Sequence, residues 1–405
     1  MIDRQGAAAR RPKESGMRRP RHLLRALATL LPLGATALAA QAPRAAQPEP
    51  PAKDYVALVA SESVDRVTKI RFGPLGVKIE QEIPVGVMPT DPDGPHGVAV
   101  APDGKTWFVS TAHGTPFGYL WKMDAVTGRV LGRVTLGSFP ATVQVSPKGY
   151  LAFVVNFNLH GEMVPSSVSV VSTDEMVEVA RIPTCTMPHG SRLNPQGTRH
   201  YSACMMDDML VEIDAGTLEV SRHFMVGAGR EHGMAGPPRA MRAGPGGHDQ
   251  GGHGTAAHPP GDVSCSPTWA QPSADGSRVY VACNQSNDIV EVDVASWTMT
   301  RRIPAGDGVY NLAVTHDGKL LLGTNKRGQS VSVIDLASGK ELARLPTRRK
   351  VVHGVVVTPD DRYAFVSVEG VGSEPGTVEI IDLRALVTVA TVDVGQQAGG
   401  IDLLP

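Results

Sequence analysis

The chain has 405 residues, of which 41% are hydrophobic, and its formal net charge at pH 7 is −1. It therefore has enough apolar side chains for a large core, and 44 glycines with 32 prolines are typical of a turn-rich all-β protein. The near-neutral charge provides no basic surface for nucleic acid, and an aromatic content of 5% argues against a stacking surface for bases or sugars.

The first 42 residues have the pattern of a secretory signal peptide. A basic region follows Met17, which is an alternative start residue, and the apolar residues 26–40 lead to the small residues Ala40 and Ala42 of a cleavage site. The apolar run is too short to span a bilayer, and no later run is long enough. We therefore predict a periplasmic or secreted protein, with residues 43–54 as an extended linker rich in Ala and Pro.

A unit of about 40 residues is repeated through the rest of the chain. Its clearest copy, residues 309–345, has four short runs that alternate apolar and polar residues, separated by turns such as His316-Asp317-Gly318. Alternation with period two between Gly, Asp, Asn and Pro turns predicts antiparallel strands with one buried face. Four such strands in each copy predict the blade of a β-propeller.

The number of copies predicts seven blades. The turn between the first and second strands recurs at residues 102–104, 147–149, 195–197, 274–276, 316–318 and 359–361. Residues 55–85 supply three more strands without a first strand, and residues 399–404 look like the missing one. We predict an all-β, seven-bladed β-propeller over residues 55–405 with four antiparallel strands per blade. The C-terminal strand would complete the N-terminal blade and close the ring.

The repeated unit resembles the YVTN-type β-propeller repeat family. Residues 153–156 (FVVN) and 322–325 (LGTN) stand where that family has its naming tetrapeptide, and residues 331–335 (VSVID) match another of its marks. The resemblance implies the propeller fold. It implies no single function, because the family is related to periplasmic binding proteins, lactonases and metal- or haem-bearing reductases. A seven-bladed propeller with histidines at its channel mouth is also similar in outline to nitrous oxide reductase, but this sequence has too few such histidines for that enzyme's copper cluster.

The four cysteines occupy matching places in blades 4 and 5. Cys185 and Cys265 precede first strands, and their counterparts Cys204 and Cys283 end second strands. Folding each hairpin about its turn therefore brings one pair face to face. In an oxidising compartment this predicts two disulfides, each within one blade, Cys185–Cys204 and Cys265–Cys283. Crossed pairing between the two blades, and copper ligation with nearby methionines, are the alternatives.

Three histidines stand at the same place in the repeat, where the first strand of a blade opens onto one face of the central channel. The seven residues at this place are His96, Ala141, His189, Thr268, Tyr310, His353 and Gly399. Each of the three histidines is followed by glycine, and loops on the same face add His113, His160, Met163 and Met205. Imidazoles that converge on one point bind transition metals. The predicted metal ligands, with copper favoured over zinc, are His96, His113, His189 and His353.

Other interpretations of these histidines stay open. Each imidazole could hydrogen-bond a neighbouring blade, or one could act as an acid or base toward a bound substrate. Residues 227–264 carry further candidates among Gly, Pro and Ala, namely His232, Met234, Met241, His248, His253 and His258. This segment predicts either a plain surface loop or a loop that captures copper or zinc weakly.

The leading functional hypothesis is an exported binding module whose channel face recruits a transition metal or a metal-bearing protein partner. A lactonase-like or metal-dependent enzyme at the same face is the first alternative, with Glu162 or Glu369 as the base or cation ligand. A ligand-free interaction scaffold is the second alternative. The sequence has no nucleophile elbow, phosphate loop, dinucleotide fingerprint or haem-attachment motif. It predicts no nucleic-acid partner, no membrane span and a monomer.

Overall fold

The computed structural model describes residues 48–87, 91–113, 116–238 and 264–405. The predicted signal peptide, residues 1–42, lies outside this part of the chain. Residues 48–54 of the predicted linker precede the first strand and form no helix or strand themselves. No helix in the described ranges is long and apolar enough to cross a membrane.

Seven antiparallel sheets form the blades of a β-propeller, as the repeat predicts. Blade 1 holds β1 (Tyr55–Ser61), β2 (Arg66–Gly73) and β3 (Gly76–Pro84), with a 3-10 helix at Glu62–Val64. Blade 2 holds β4 (Pro95–Val100), β5 (Thr106–Thr111), β6 (Tyr119–Asp124) and β7 (Val130–Thr135). Blade 3 holds β8 (Pro140–Val145), β9 (Leu151–Asn156), β10 (Pro165–Ser172) and β11 (Val177–Thr186). Blade 4 holds β12 (Pro188–Leu193), β13 (Arg199–Cys204), β14 (Met209–Asp214), β15 (Glu219–Met225) and β16 (His232–Ala235).

The remaining strands follow the same order. Blade 5 holds β17 (Pro267–Pro272), β18 (Arg278–Cys283), β19 (Asp288–Asp293) and β20 (Thr298–Pro304). Blade 6 holds β21 (Val309–Val314), β22 (Leu320–Asn325), β23 (Ser330–Asp335) and β24 (Lys340–Pro346). Blade 7 holds β25 (Val352–Val357), β26 (Tyr363–Val368), β27 (Gly376–Asp382) and β28 (Val387–Val394). The last strand of the chain is β29 (Ala398–Leu404), which belongs to blade 1.

The ring closes between the two ends of the described chain. The sheet order in blade 1 is β29-β1-β2-β3, and β29 pairs antiparallel with β1 through partners such as Val56 and Leu404. The C-terminal strand is therefore the innermost strand of the N-terminal blade, as predicted. This pairing covers the inner edge of β1, so blade 1 has four strands although its first strand comes from the C-terminal end of the chain.

The hydrophobic core lies between adjacent blades. One cluster, for example, joins Tyr201 and Phe224 of blade 4 to Val281 and Trp297 of blade 5, and all four side chains are buried. The inner strands alternate or run continuously apolar because both of their faces pack against a neighbouring blade. The outermost strands, such as β7 and β24, expose alternate residues to solvent.

Blade 4 departs from the predicted four strands. His232–Ala235 forms a fifth strand, β16, which pairs with β15 through Met225 and His232. The prediction of a loop over all of residues 227–264 is therefore wrong for this stretch, where the backbone finds hydrogen-bond partners on an open sheet edge. Met241, His248, His253 and His258 lie outside the described residues.

Both predicted disulfides are present. Cys185 pairs with Cys204 at a Cα–Cα distance of 5.9 Å, and Cys265 pairs with Cys283 at 4.5 Å. The prediction that each bond lies within one blade is wrong for the first pair. Cys185 is part of β11, the outermost strand of blade 3, so its bond joins two neighbouring blades. Two disulfides are typical of a protein from an oxidising compartment.

A candidate site at the channel mouth

The start of each first strand has the same backbone geometry in all seven blades. The residue before the strand has a positive φ in every case, from 44° at Ser266 to 68° at Gly308. A register shift follows within the first residues of the pairing between the first two strands, for example between Pro95 and Val98. Such bulges re-aim the side chains beside them. The shared geometry turns the second residue of each first strand toward the channel mouth.

The glycines that follow the three histidines allow adjacent blades to approach each other. A Cβ added to Gly97 would lie 2.0 Å from the carbonyl oxygen of Ala141 in the next blade, and one added to Gly190 would lie 2.3 Å from that of Thr268. A Cβ added to the third glycine, Gly354, would lie 2.8 Å from the carbonyl oxygen of Gly399. The recurrence of His-Gly is thus explained in part by packing between blades.

The structure brings the three first-strand histidines together. The ring centre of His96 lies 5.4 Å from that of His353 and 6.2 Å from that of His189. His113 joins the same group, because Phe139 contacts both it and His96 at ring-centre distances of 5.9 and 5.5 Å. The four predicted ligands therefore form one contiguous cluster at the mouth of the channel.

Glu62 connects two of these histidines. It is the first residue of the 3-10 helix, and its two carboxylate oxygens lie 2.9 Å from His96 Nδ1 and 2.5 Å from His113 Nε2. Burial alone would raise the pKa of Glu62, but the charge of His96 and the hydrogen bonds from His113 and His96 hold it well below its usual range. The hydrogen bond to Glu62 raises the pKa of His113. The carboxylate is therefore ionised and stabilises the charged form of His113.

His189 has a fixed tautomer. Its Nδ1 lies 3.0 Å from the carbonyl oxygen of Thr268, which can only accept, so Nδ1 carries the proton. Its Nε2 accepts a hydrogen bond from the hydroxyl of Tyr310 at 2.9 Å. Burial, aided by the charge of His96, lowers the pKa of His189 to about 3. The imidazole is therefore neutral near pH 7. For His189, the hydrogen bond to Thr268 confirms the interpretation in which a histidine hydrogen-bonds a neighbouring blade.

His353 is buried with one nitrogen unsatisfied. Its Nδ1 makes no hydrogen bond to any residue that the structure describes, and its Nε2 lies 3.9 Å from Glu369. Burial, followed by the charge of Lys326, lowers its pKa well below the ordinary value. An uncharged imidazole with a free nitrogen can still accept a hydrogen bond or bind a metal ion.

Lys326 adds a positive charge on the same rim. Its ammonium lies 2.9 Å from a carboxylate oxygen of Glu369 and 4.3 Å from the ring centre of Tyr310. Burial opposes its charged form, but the carboxylate of Glu369 and the Tyr310 ring that the ammonium contacts outweigh that effect, and the pKa of Lys326 is raised. Lys326 therefore stays positively charged near the histidines at neutral pH.

The other candidates are distributed unevenly. The ring of His160 lies 6.2 Å from that of His113, so it stands at the edge of the cluster. Glu162 and Met163 are exposed, and His232 lies on β16 at the outer edge of blade 4. Within residues 48–87, 91–113, 116–238 and 264–405, no three His, Cys, Asp or Glu side chains are arranged as a ready metal-ligand group.

Below the histidines the channel contains a cavity of about 30 Å³. Its walls include His96, His189 and His353, and Arg192 lies at its inner end. Such a volume has room for one or two water molecules. The cluster therefore borders this small cavity on its inner side and solvent on its outer side.

Sequence reasoning missed Glu62, Lys326 and the hydroxyl of Tyr310. The signal was present in the repeat, because the residue directly after each second strand returns to the histidine face. Those seven residues are Glu62, Ala112, Phe157, Met205, Asn284, Lys326 and Glu369. The charged members of this register, Glu62, Lys326 and Glu369, all belong to the site. This register is hardest to recognise in blade 1, because the first strand of that blade comes from the other end of the chain.

Comparisons with known proteins support the fold. No family model and no curated protein matches the sequence, so the YVTN resemblance stays a prediction. The chain is similar to a periplasmic gluconolactonase of Pseudomonas aeruginosa, with a TM-score of 0.62, 18% identity and coverage of 87% of this chain and 99% of that one. It is also similar to a functionally unknown protein from Desulfotomaculum acetoxidans, with a TM-score of 0.61, 14% identity and coverage of 86% and 98%. For hydrazine synthase of Kuenenia stuttgartiensis the TM-score is 0.57, the identity 22% and the coverage 77% and 91%. At these identities the likeness shows a shared fold, and the chain is a seven-bladed β-propeller.

Proposed function

We propose that the channel mouth is the active site of a hydrolase that opens a small lactone. The observation that carries this proposal is the carboxylate of Glu62, held between His96 and His113. Because Nδ1 of His96 faces the carboxylate, Nε2 carries the lone pair in the neutral ring, and it makes no hydrogen bond to the described residues. A carboxylate that orients an imidazole in this way prepares it to act as a general base.

The proposed reaction uses these groups in order. His96 Nε2 takes a proton from a water molecule as its oxygen attacks the carbonyl carbon of the lactone. The ring C–O bond then breaks, and His113, whose pKa is raised by Glu62, donates a proton to the departing alkoxide. The product is an open-chain hydroxy acid. His96 then releases its proton to solvent, and His113 takes up a proton from solvent, which restores both residues.

Lys326 is the residue suited to the negative charge that develops on the carbonyl oxygen. It lies on the same rim and keeps its proton because Glu369 and Tyr310 favour the charged form. A fixed cation beside a developing oxyanion stabilises the transition state more than the ground state. Glu369 then positions Lys326 and need not act as the base.

A fold neighbour supports this choice of substrate class. The Pseudomonas aeruginosa protein is a gluconolactonase, and the present chain covers 99% of its length. We extend that activity to this chain as part of the proposal. The Glu62–His96–His113 arrangement supplies a chemical reason that is independent of the neighbour.

The test is hydrolysis of glucono-δ-lactone and a panel of other γ- and δ-lactones by residues 43–405. The wild type should hydrolyse at least one lactone faster than buffer alone does. His96→Ala should lower kcat/KM for that lactone by at least about 100-fold. Glu162→Gln, on an exposed loop of the same face, is the matched control and should be as active as the wild type. A wild-type protein that hydrolyses none of the lactones would overturn the proposal.

A transition-metal site is the second candidate. The ring centres of two imidazoles on one tetrahedral ion lie about 5 Å apart, close to the separation of His96 and His353. His189 and His353 are uncharged, as metal ligands must be. Copper or zinc would polarise a bound carbonyl or water there. The side chains fit such an ion only after rearrangement, since the described residues hold no ready ligand group.

Equilibrium dialysis against Cu²⁺ and Zn²⁺ separates this candidate from the first. A metal site predicts about one ion per chain in the wild type and a loss of that ion in the triple variant His96→Ala, His189→Ala, His353→Ala. Equal, weak uptake by both proteins would exclude the cluster. Lactone hydrolysis that survives chelator treatment would favour the metal-free hydrolase.

A further inference from the structure

The other end of the channel contains a larger pocket of about 300 Å³. The fifth residue of each first strand lines it, and we call these residues the far ring. In blade order the far ring consists of Asp402, Ala99, Gln144, Arg192, Gln271, Ala313 and Val356. Blades 3 to 5 therefore contribute a polar arc, blade 1 contributes a carboxylate, and the remaining three positions are apolar.

Arg192 is held in place with most of its donors unused. Its Nη1 donates to the carbonyl oxygen of Ser191 at 2.9 Å, and its guanidinium carbon lies 4.4 Å from the ring centre of Trp269. Among the described residues its other N–H groups have no hydrogen-bond partner. Burial lowers the pKa of Arg192 to about 10, so it remains charged near pH 7. A planar cation that is fixed, charged and incompletely paired is suited to a carboxylate.

The neighbours of Arg192 extend this donor set. The side-chain oxygen of Gln144 accepts the backbone N–H of Leu193, so its NH₂ group is left to donate elsewhere. Gln271 donates to the carbonyl oxygen of Pro272 at 3.1 Å, which leaves its own oxygen as an acceptor. Arg192 and Gln144 together can hold both oxygens of a carboxylate.

Asp402 contributes a carboxyl group beside Arg192, and burial raises the pKa of that group. Its two oxygens accept the backbone N–H groups of Val100 at 2.8 Å and Leu403 at 2.9 Å. It interacts with Arg192 through charge and not through a hydrogen bond. The walls of one pocket therefore include a cation and a carboxyl group that are not hydrogen-bonded to each other. A ligand with both an anionic group and a donor would satisfy them together.

We propose that the far ring binds a small α-amino or α-hydroxy carboxylic acid with a short apolar side chain. Arg192 and Gln144 bind the carboxylate, and Asp402 accepts a hydrogen bond from the ammonium or hydroxyl group. The apolar side chain packs against the valine and leucine side chains of the wall, such as Val143, Leu312 and Val355. The volume is at the lower end of the range for small-molecule sites, which limits the ligand to a few carbons.

Isothermal titration calorimetry with four related probes tests this assignment. L-valine and 2-hydroxy-3-methylbutanoate carry both groups, 3-methylbutanoate lacks the donor, and valine methyl ester lacks the carboxylate. At least one of the first two should bind at concentrations up to about 10 mM, at least tenfold more tightly than the other two probes. Tighter binding of L-valine would identify the ligand class as an amino acid, and tighter binding of 2-hydroxy-3-methylbutanoate would identify it as a hydroxy acid.

Variants locate the binding. Arg192→Met and Gln144→Leu should each weaken binding at least tenfold, and Asp402→Asn should weaken it without affecting 3-methylbutanoate. Gln144→Leu tests the carboxylate contact even if Arg192→Met fails to fold. His96→Ala should bind the probes as tightly as the wild type does. A failure of binding at the far ring is therefore distinguishable from a failure of lactone hydrolysis at the channel mouth. No binding of any probe by the wild type, or equal binding by Arg192→Met, would overturn the inference.

Discussion

At the residue scale, His200 shows the cost of a buried polar group. It lies on β13 with no exposed surface, stacked on Phe153 at a ring-centre distance of 4.9 Å. Neither ring nitrogen has a hydrogen-bond partner among the described residues. We predict that His200→Leu raises the free energy of unfolding by about 1–2 kcal/mol at pH 7. Urea denaturation measures this, and a loss of stability would contradict it.

The same residue predicts a dependence on pH. Burial lowers the pKa of His200 to about 3, below the value of about 6.5 expected in the unfolded chain. The unfolded state therefore takes up a proton that the folded state refuses, and stability falls as the pH drops from about 6.5 toward 3. The advantage of His200→Leu should thus be larger at pH 5 than at pH 7. His200→Asn, which stays polar but does not titrate, should show the same change with pH without the gain at pH 7.

At the scale of elements, the disulfides fix the junctions around blade 4. The Cys185–Cys204 bond joins β11 of blade 3 to β13 of blade 4, and the Cys265–Cys283 bond holds the connection into blade 5 against β18. Each closes a loop of nearly 20 residues, for which the loss of unfolded-state entropy is about 3 kcal/mol.

We predict that replacing either pair by serine lowers the free energy of unfolding by about 2–4 kcal/mol. Urea denaturation of the two double variants measures each effect, with the reduced wild type as a reference. If either double variant unfolds at the same urea concentration as the oxidised wild type, that bond does not constrain the blades.

At the scale of the whole molecule, β29 completes the ring. Ala398 and Ile401 of this strand are buried, and β29 supplies the inner edge of blade 1. Deletion of residues 398–405 should abolish the cooperative unfolding transition, because it exposes the edge of β1 and the adjoining core. Deletion of the exposed Pro405 alone is the control and should leave the transition unchanged. A cooperative transition in the longer deletion would contradict the closure.

The ring could be predicted from the sequence because its turns recur at nearly constant spacing. The convergence of His96, His189 and His353 also follows from their shared place in the repeat. Glu62 also has a shared place in the repeat, directly after a second strand, but that place is harder to recognise in the blade assembled from both ends of the chain. The interblade position of Cys185 was missed because β11 extends beyond the point where the fourth apolar run of blade 3 ends. Local spacing predicts strands well, but it does not predict which strand a junction residue extends.

The most direct test of the proposed Glu62–His96–His113 catalytic cluster is the pH dependence of lactone hydrolysis by Glu62→Gln. The variant loses the carboxylate that orients His96, so kcat/KM should fall by at least about 100-fold. It also loses the hydrogen-bonded carboxylate that raises the pKa of His113, so the alkaline limb of the profile should move to lower pH. An active wild type whose rate and profile are unchanged in Glu62→Gln would contradict the account, because catalysis would then not depend on the Glu62–His96–His113 cluster.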